Sequence, residues 1–173
     1  MDKHKDLPTG PKPPKIVTVV VEATRNSKNR YNVTGMFTRL ENMICTPIPY
    51  PREFGFIPRT ALDDSVPLTA MILTEYPTLP GCLVDAIPIG ILRFTENGIR
   101  KDLILTVPVN DPEYGETRDV SGVSKHALKE IEEFFRTYKA PKKNDIKIIG
   151  WADAKEAERT IVHSMKMYGI KKD

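Results

Sequence analysis

Cys45 and Cys82 are the only thiols in the chain, and His4, His126 and His163 its only imidazoles. Two cysteines cannot form a disulfide scaffold or a four-cysteine zinc site, and they read as buried thiols of a reduced compartment. The histidines are scattered and read as surface residues. The chain has no GxSxG elbow, no Walker loop and no GxGxxG turn, so neither a serine-hydrolase nor a nucleotide-loop mechanism has a foothold. Charge is what remains. Lysine and arginine number 26 against 23 acidic residues, a net charge of +3. That balance admits an anionic partner without demanding one, because nucleic-acid binders usually cluster their charge more sharply. The basic stretches at 142–147 and at the C-terminus are short and read as solvated faces.

The elements that must position any site follow from the hydrophobic pattern. The 173 residues suit one domain, and 40% hydrophobic content is enough for a core. Fifteen prolines, concentrated in the first two-thirds, separate short apolar runs and predict strands joined by turns. Strands are expected at 16–23, 36–41, 68–74, 82–95 with a break at Pro88 and Gly90, 103–109 and 146–151. Residues 124–139 place Leu128, Ile131, Phe134, Phe135 and Tyr138 on one helical stripe, with Ser124 as N-cap. Residues 153–168 do the same with Ala157, Ile161, Met165 and Tyr168. The expected class is α+β: a small β-barrel covered by two C-terminal helices. Residues 1–14 read as a flexible Pro-rich arm, and 15–173 as a single domain. No run of about 18 apolar residues is present, so no membrane span and no secretory leader are expected, and the reading is cytoplasmic.

Several segments, taken in order, resemble the soluble inorganic pyrophosphatases of family I: VVVEAT at 19–24, RYN at 30–32, YPREFGFIPRT at 50–60, DDSVPLTAMIL at 63–73, PGCLVDAIPIGILRF at 80–94, EEFFRTYK at 132–139 and GWADAKEAE at 150–158. The similarity runs from about residue 15 to 168. It implies an OB-type five-stranded barrel with helices packed outside, assembly as a homo-oligomer (hexameric in the bacterial and archaeal branch), and Mg²⁺-assisted transfer of a phosphoryl group to water. Such chemistry needs a site dense in carboxylates for the ions and in Lys, Arg and Tyr for the phosphate oxygens.

The motifs can be compared residue by residue. The resemblance implies a metal-site Glu at Glu22. The Lys-Tyr-Glu triplet of the family stands as Arg30, Tyr31 and Asn32. An Asp-Arg pair aligns with Glu41 and Asn42, with Arg39 nearby. The YPxNYGF motif keeps Tyr50 and replaces its second tyrosine by Phe54. The DGDPxD cluster keeps only Asp64; Val66 and Thr69 stand where the other two aspartates are implied. The later Asp-Glu pair becomes Glu96 and Asn97, a metal Asp becomes Lys101, and a phosphate-binding Lys becomes Leu103. Asp102 is adjacent, but one residue of shift on a strand turns it to the opposite face. The Tyr-Lys pair near the end of the first helix is intact as Tyr138 and Lys139.

Of eight implied carboxylates, Glu22, Asp64 and Glu96 remain. A unit charge about 4 Å from an ion is worth roughly 4 kcal/mol at an effective dielectric of about 20, so these losses remove most of the attraction for a Mg²⁺ cluster. Hence no cofactor is expected beyond, at most, one ion held weakly by Asp64, Glu96 and Glu22. The expected ligand site is Arg30, Tyr50, Tyr138 and Lys139, acting on a phosphate-type anion. Lys101 offers an ammonium where an ion would sit. The sequence therefore reads as a catalytically impaired or inactive pyrophosphatase-like protein that acts by binding an anion or a protein assembly. Two alternatives stand beside it: an active Mg²⁺-dependent diphosphatase or related phosphoanhydride hydrolase with a divergent site, and an accessory subunit of a larger complex such as a ribonucleoprotein. Nucleic acid is a weak expectation that rests on the OB-type barrel alone.

Overall fold

A computed structural model describes residues 7–34, 37–62, 66–139 and 144–172. Eight strands and two helices follow in chain order: β1 Val17–Ala23, β2 Asn29–Thr34, β3 Phe37–Met43, β4 Glu53–Phe56, β5 Thr69–Ile72, β6 Leu83–Glu96, β7 Ile99–Pro108, α1 Lys125–Thr137, β8 Ile146–Ala152 and α2 Ala154–Lys172. The sheet order β1-β4-β5-β7-β6-β8 closes on itself, because β1 also pairs with β6. Five strands thus form a ring, β8 extends it from β6, and β2 and β3 make a separate hairpin. This is the expected small barrel with two helices outside. Closure removes the sheet edges that would otherwise be left unpaired.

Alternation along the strands divides the core in two. Leu103, Leu105 and Val107 of β7 join Tyr50, Phe54, Phe94, Phe134 and Phe135 in one cluster beneath α1. Ile104 joins Val19, Val21, Ile91, Ala157 and Ile161 in the other, beneath α2. The period of two along a strand sends alternate side chains to the two clusters.

Two local features bear on the site. Gly55 allows β4 to approach β1 closely: a Cβ there would lie 1.9 Å from the Val20 carbonyl oxygen. The β1–β4 register shifts between Val21 and Ala23, so Glu22 sits at a bulge, a device that re-aims a side chain.

The structure adds two strands to those expected. β2, NRYNVT, is polar and partly exposed, and β4, EFGF, has only 4 residues with a glycine inside, so neither carries the usual apolar signal. The last helix runs to Lys172 rather than 168. Of the arm expected at 1–14, Thr9 is buried and its carbonyl accepts from the Thr18 N–H at 2.7 Å, while Lys12 bridges to Ile16. Among the described residues, no helix is long and apolar enough to cross a membrane.

Candidate functional site

Tyr50 and Tyr138 approach each other because α1 lies across the barrel wall. The apolar stripe of α1 buries Ile131, Phe134 and Phe135. The Phe134 ring packs 4.8 Å from Tyr50 and 5.4 Å from Tyr138, centroid to centroid. Ser124 caps the helix by accepting from the Ala127 N–H at 3.2 Å. Lys139 follows directly at the C-terminal end of the helix, where a cation is favoured by the helix dipole.

Arg30, Tyr50, Tyr138 and Lys139 line one cavity of about 120 Å³, together with Asn42, Met43, Ile44 and Cys45 from the end of β3 and the loop beyond it. All four residues of the expected ligand site are therefore brought together. Asn42 and Cys45 at its rim were not anticipated as lining residues. Cys45 corrects one expectation outright: it is exposed, because it follows the fully exposed β3 instead of entering a core; Cys82 is half-buried. Arg39 stands opposite Asn32 in the exposed hairpin and is not among the lining residues.

The charges of this region are matched. Arg30 donates from Nη2 to Glu22 Oε2 at 2.8 Å, and its guanidinium lies 5.3 Å over the Phe54 ring. Burial works to lower the Arg30 pKa, but the charge and hydrogen bond of Glu22 outweigh it, and the guanidinium is held above its ordinary value. The Lys139 ammonium donates to Glu96 Oε1, which also accepts from Asn144 Nδ2 at 3.0 Å. Burial is the main cause that pushes the Tyr50 hydroxyl up to about 12, and the Tyr138 hydroxyl rises for the same reason, helped by the charge of Glu96. Both hydroxyls are therefore neutral donors at physiological pH.

The remaining predicted positions lie elsewhere or serve the fold. Asp64 lies outside the described residues. Val66 is exposed, and the Thr69 hydroxyl donates to the Asp102 carbonyl at 3.2 Å. Leu103 is fully buried in the cluster under α1. Lys101 pairs with Phe94 across β6 and β7. Asn97 and Gly98 both have positive φ and form the two-residue turn between β6 and β7. The Asn97 amide also accepts from the Asp145 N–H at 3.0 Å and donates to Asn144 at 3.3 Å. Its position is thus one the turn requires. Asp102 falls on the opposite side of β7, beside Arg93 and Arg100, as its register implies. His126 and His163 are exposed.

The sequence profile of the inorganic pyrophosphatases matches residues 19–169. The chain belongs to this family. It is 35% identical to an inorganic pyrophosphatase of Nostoc sp. over 164 residues, covering 94% of this chain and 96% of the relative. A second, from Synechocystis sp., is 36% identical over 167 residues and covers 94% and 99% of the two chains. The crystal structure of the inorganic pyrophosphatase from Thermus thermophilus superposes with a TM-score of 0.89 at 31% identity, covering 96% of this chain and 99% of that one.

Pyrophosphatases of this family are Mg²⁺-dependent, so the donor set here can be tested against such ions. Among the described residues, no three of His, Cys, Asp and Glu converge as a metal group. Glu22 and Glu96, two of the three carboxylates expected to remain, are engaged by Arg30 and Lys139. Asp64, the third, lies outside the described residues. The cavity offers an anion the spare N–H donors of two cations, each already paired with a carboxylate, and two neutral hydroxyls.

Proposed function

We propose that this pyrophosphatase-family protein binds inorganic pyrophosphate in the cavity of Arg30, Tyr50, Tyr138 and Lys139 and turns it over slowly. One observation carries the reading: four phosphate-suited side chains meet at one cavity while the neighbouring carboxylates are ion-paired with cations of the chain. Kinship supports the choice of substrate. An incoming diphosphate accepts from the N–H donors of Arg30 and Lys139 that Glu22 and Glu96 leave free, and the tyrosine hydroxyls orient it as donors. Calorimetry tests this. Pyrophosphate should bind without metal, and binding should weaken in Arg30→Met. Binding seen only when Mg²⁺ is present would contradict it.

A second reading is favoured by the family match along the whole chain: an active Mg²⁺-dependent diphosphatase with a divergent site. Kinship alone gives this reading more weight than it gives loss of catalysis. Glu22 and Glu96 would then hold the ion together with Asp64. Hydrolysis that rises to ordinary enzyme rates as Mg²⁺ is added would select it.

We also propose a homo-oligomer, hexameric by family resemblance. The exposed Phe37, Leu40 and Met43 on β3 support an interface there. The free thiols support a reduced compartment such as the cytoplasm.

A further inference from the structure

On the other side of the barrel, α2 and β7 flank a cleft of about 630 Å³ lined by Leu62, Ile99, Arg100, Asp102, Arg159, Thr160 and His163. The cavity described above lies on the α1 side, and β7 separates the two: Leu103 faces the cluster under α1, whereas Asp102 meets Arg93 and Arg100. Nothing in the reaction of the family cavity uses this second cleft.

In the ion-pair network that runs behind the cleft wall, guanidinium groups outnumber their acceptors. Asp102 Oδ1 accepts from Arg100 Nε at 3.3 Å and lies 3.9 Å from Arg93 Nε. Glu156 accepts from Arg93 Nη2 at 3.0 Å and from Arg159 Nη1. Three guanidiniums thus share two carboxylates. Each guanidinium carries five N–H donors, so donors are left over. Arg93 Nε is buried without a hydrogen-bond partner. Arg100 and Arg159 expose 58% and 73% of their side chains, so their spare donors are open to a ligand from the cleft.

The charge of the surrounding face points the same way. Lys155, Lys166, Arg159 and His163 line an adjoining groove along α2, next to Glu158, whose charge is taken by Lys15 at 2.9 Å. The residues lining the two grooves include Arg100, Lys155, Arg159 and Lys166 against Asp102 and Glu158, a local surplus of positive charge that raises the concentration of anions there. The cleft also has an apolar wall in Leu62 and Ile99, and its volume is that of a small-molecule site.

We propose that this cleft is a second ligand site for a small organic phosphate of mononucleotide size. Its phosphoryl group is held by Arg100, Arg159 and His163, and its apolar body lies on Leu62 and Ile99. Bidentate guanidinium contacts suit a phosphoryl group better than a point charge does. The site is independent of the pyrophosphate reading, since it shares no residue with that cavity.

Adenosine 5′-monophosphate serves as the probe, followed by amide and His163 ring NMR shifts of the full chain. Shifts are expected at Ile99, Arg100, Arg159 and His163. The double variant R100Q/R159Q, which changes two exposed side chains, should weaken the probe roughly tenfold or more. Lys139→Met, on the other side of the barrel, should leave these shifts and their affinity unchanged. Adenosine without its phosphate and orthophosphate alone should each bind at least several-fold more weakly. Orthophosphate as tight as the nucleotide, adenosine as tight as the nucleotide, shifts confined to Arg30 and Tyr138, or no shift in the unsubstituted chain would each overturn the proposal.

Discussion

Lys139 reaches Glu96 from the end of α1, and methionine in its place removes one of the two cations of the cavity while keeping most of the side-chain volume. Charge-assisted hydrogen bonds contribute about 1.5–3 kcal/mol, so pyrophosphate binding to Lys139→Met should fall roughly tenfold or more by calorimetry, with the fold unchanged by circular dichroism. Arg30 has a second role. The Glu22 side chain is only 3% exposed, so Arg30→Met leaves a buried carboxylate without its guanidinium. Breaking such a pair costs about 3–5 kcal/mol when both partners are buried; Arg30 is 37% exposed, and solvent screening reduces the expected loss to about 2–3 kcal/mol in urea unfolding. Adding Glu22→Gln to Arg30→Met should restore much of it. The tyrosines set a pH dependence. With the Tyr50 hydroxyl raised to about 12, the unfolded chain loses this proton first, near pH 10. Stability from Tyr50 is therefore intact below pH 10 and declines as pH rises from 10 towards 12. Urea unfolding at pH 9 and 11 should show this loss, and Tyr50→Phe should make it smaller.

The elements explain which residues could be read in the sequence and which could not. The α1 stripe was legible from its spacing, and with it the placing of Tyr138 against Phe134, although the helix ends at Thr137 and Lys139, expected as its last residue, lies just beyond it. The pairing of Glu22 with Arg30 was not, because it depends on a bulge in β1 and on β2, a polar strand that no apolar run announces. The Asn97-Gly98 turn had a signal, an Asn-Gly pair between two alternating runs, and it gives Asn97 a structural reason to be an amide. Cys45 was misplaced in a core because a free thiol is usually buried, whereas the strand before it has no buried side chain. Between the barrel and α2, Asp119 accepts from the Ala154 N–H at 2.9 Å and from Ser121 N–H and hydroxyl at 3.0 and 2.7 Å. These bonds, the one from Ala154 foremost, hold its carboxyl below the usual range. Asp119→Ala should cost about 1–2 kcal/mol of stability, measurable as a lower midpoint in chemical unfolding, because it removes the acceptor of the Ala154 N–H and of both Ser121 donors while Asp153 still caps α2.

At the scale of the whole molecule, a closed barrel leaves two faces for function, one under each helix. The α1 face gathers the aromatic cluster, two tyrosine hydroxyls and two ion-paired cations, and it is the face proposed above to bind pyrophosphate. The α2 face carries a local surplus of positive charge around two grooves. The account turns on the first of these, where Glu22 and Glu96 answer cations of the chain. Steady-state hydrolysis of inorganic pyrophosphate, measured on the full chain at saturating Mg²⁺, tests it most directly. The account predicts turnover below about 1 s⁻¹, the lower edge of the usual enzyme range, with pyrophosphate still bound when the metal is chelated. Turnover of roughly 10–10³ s⁻¹ would contradict it.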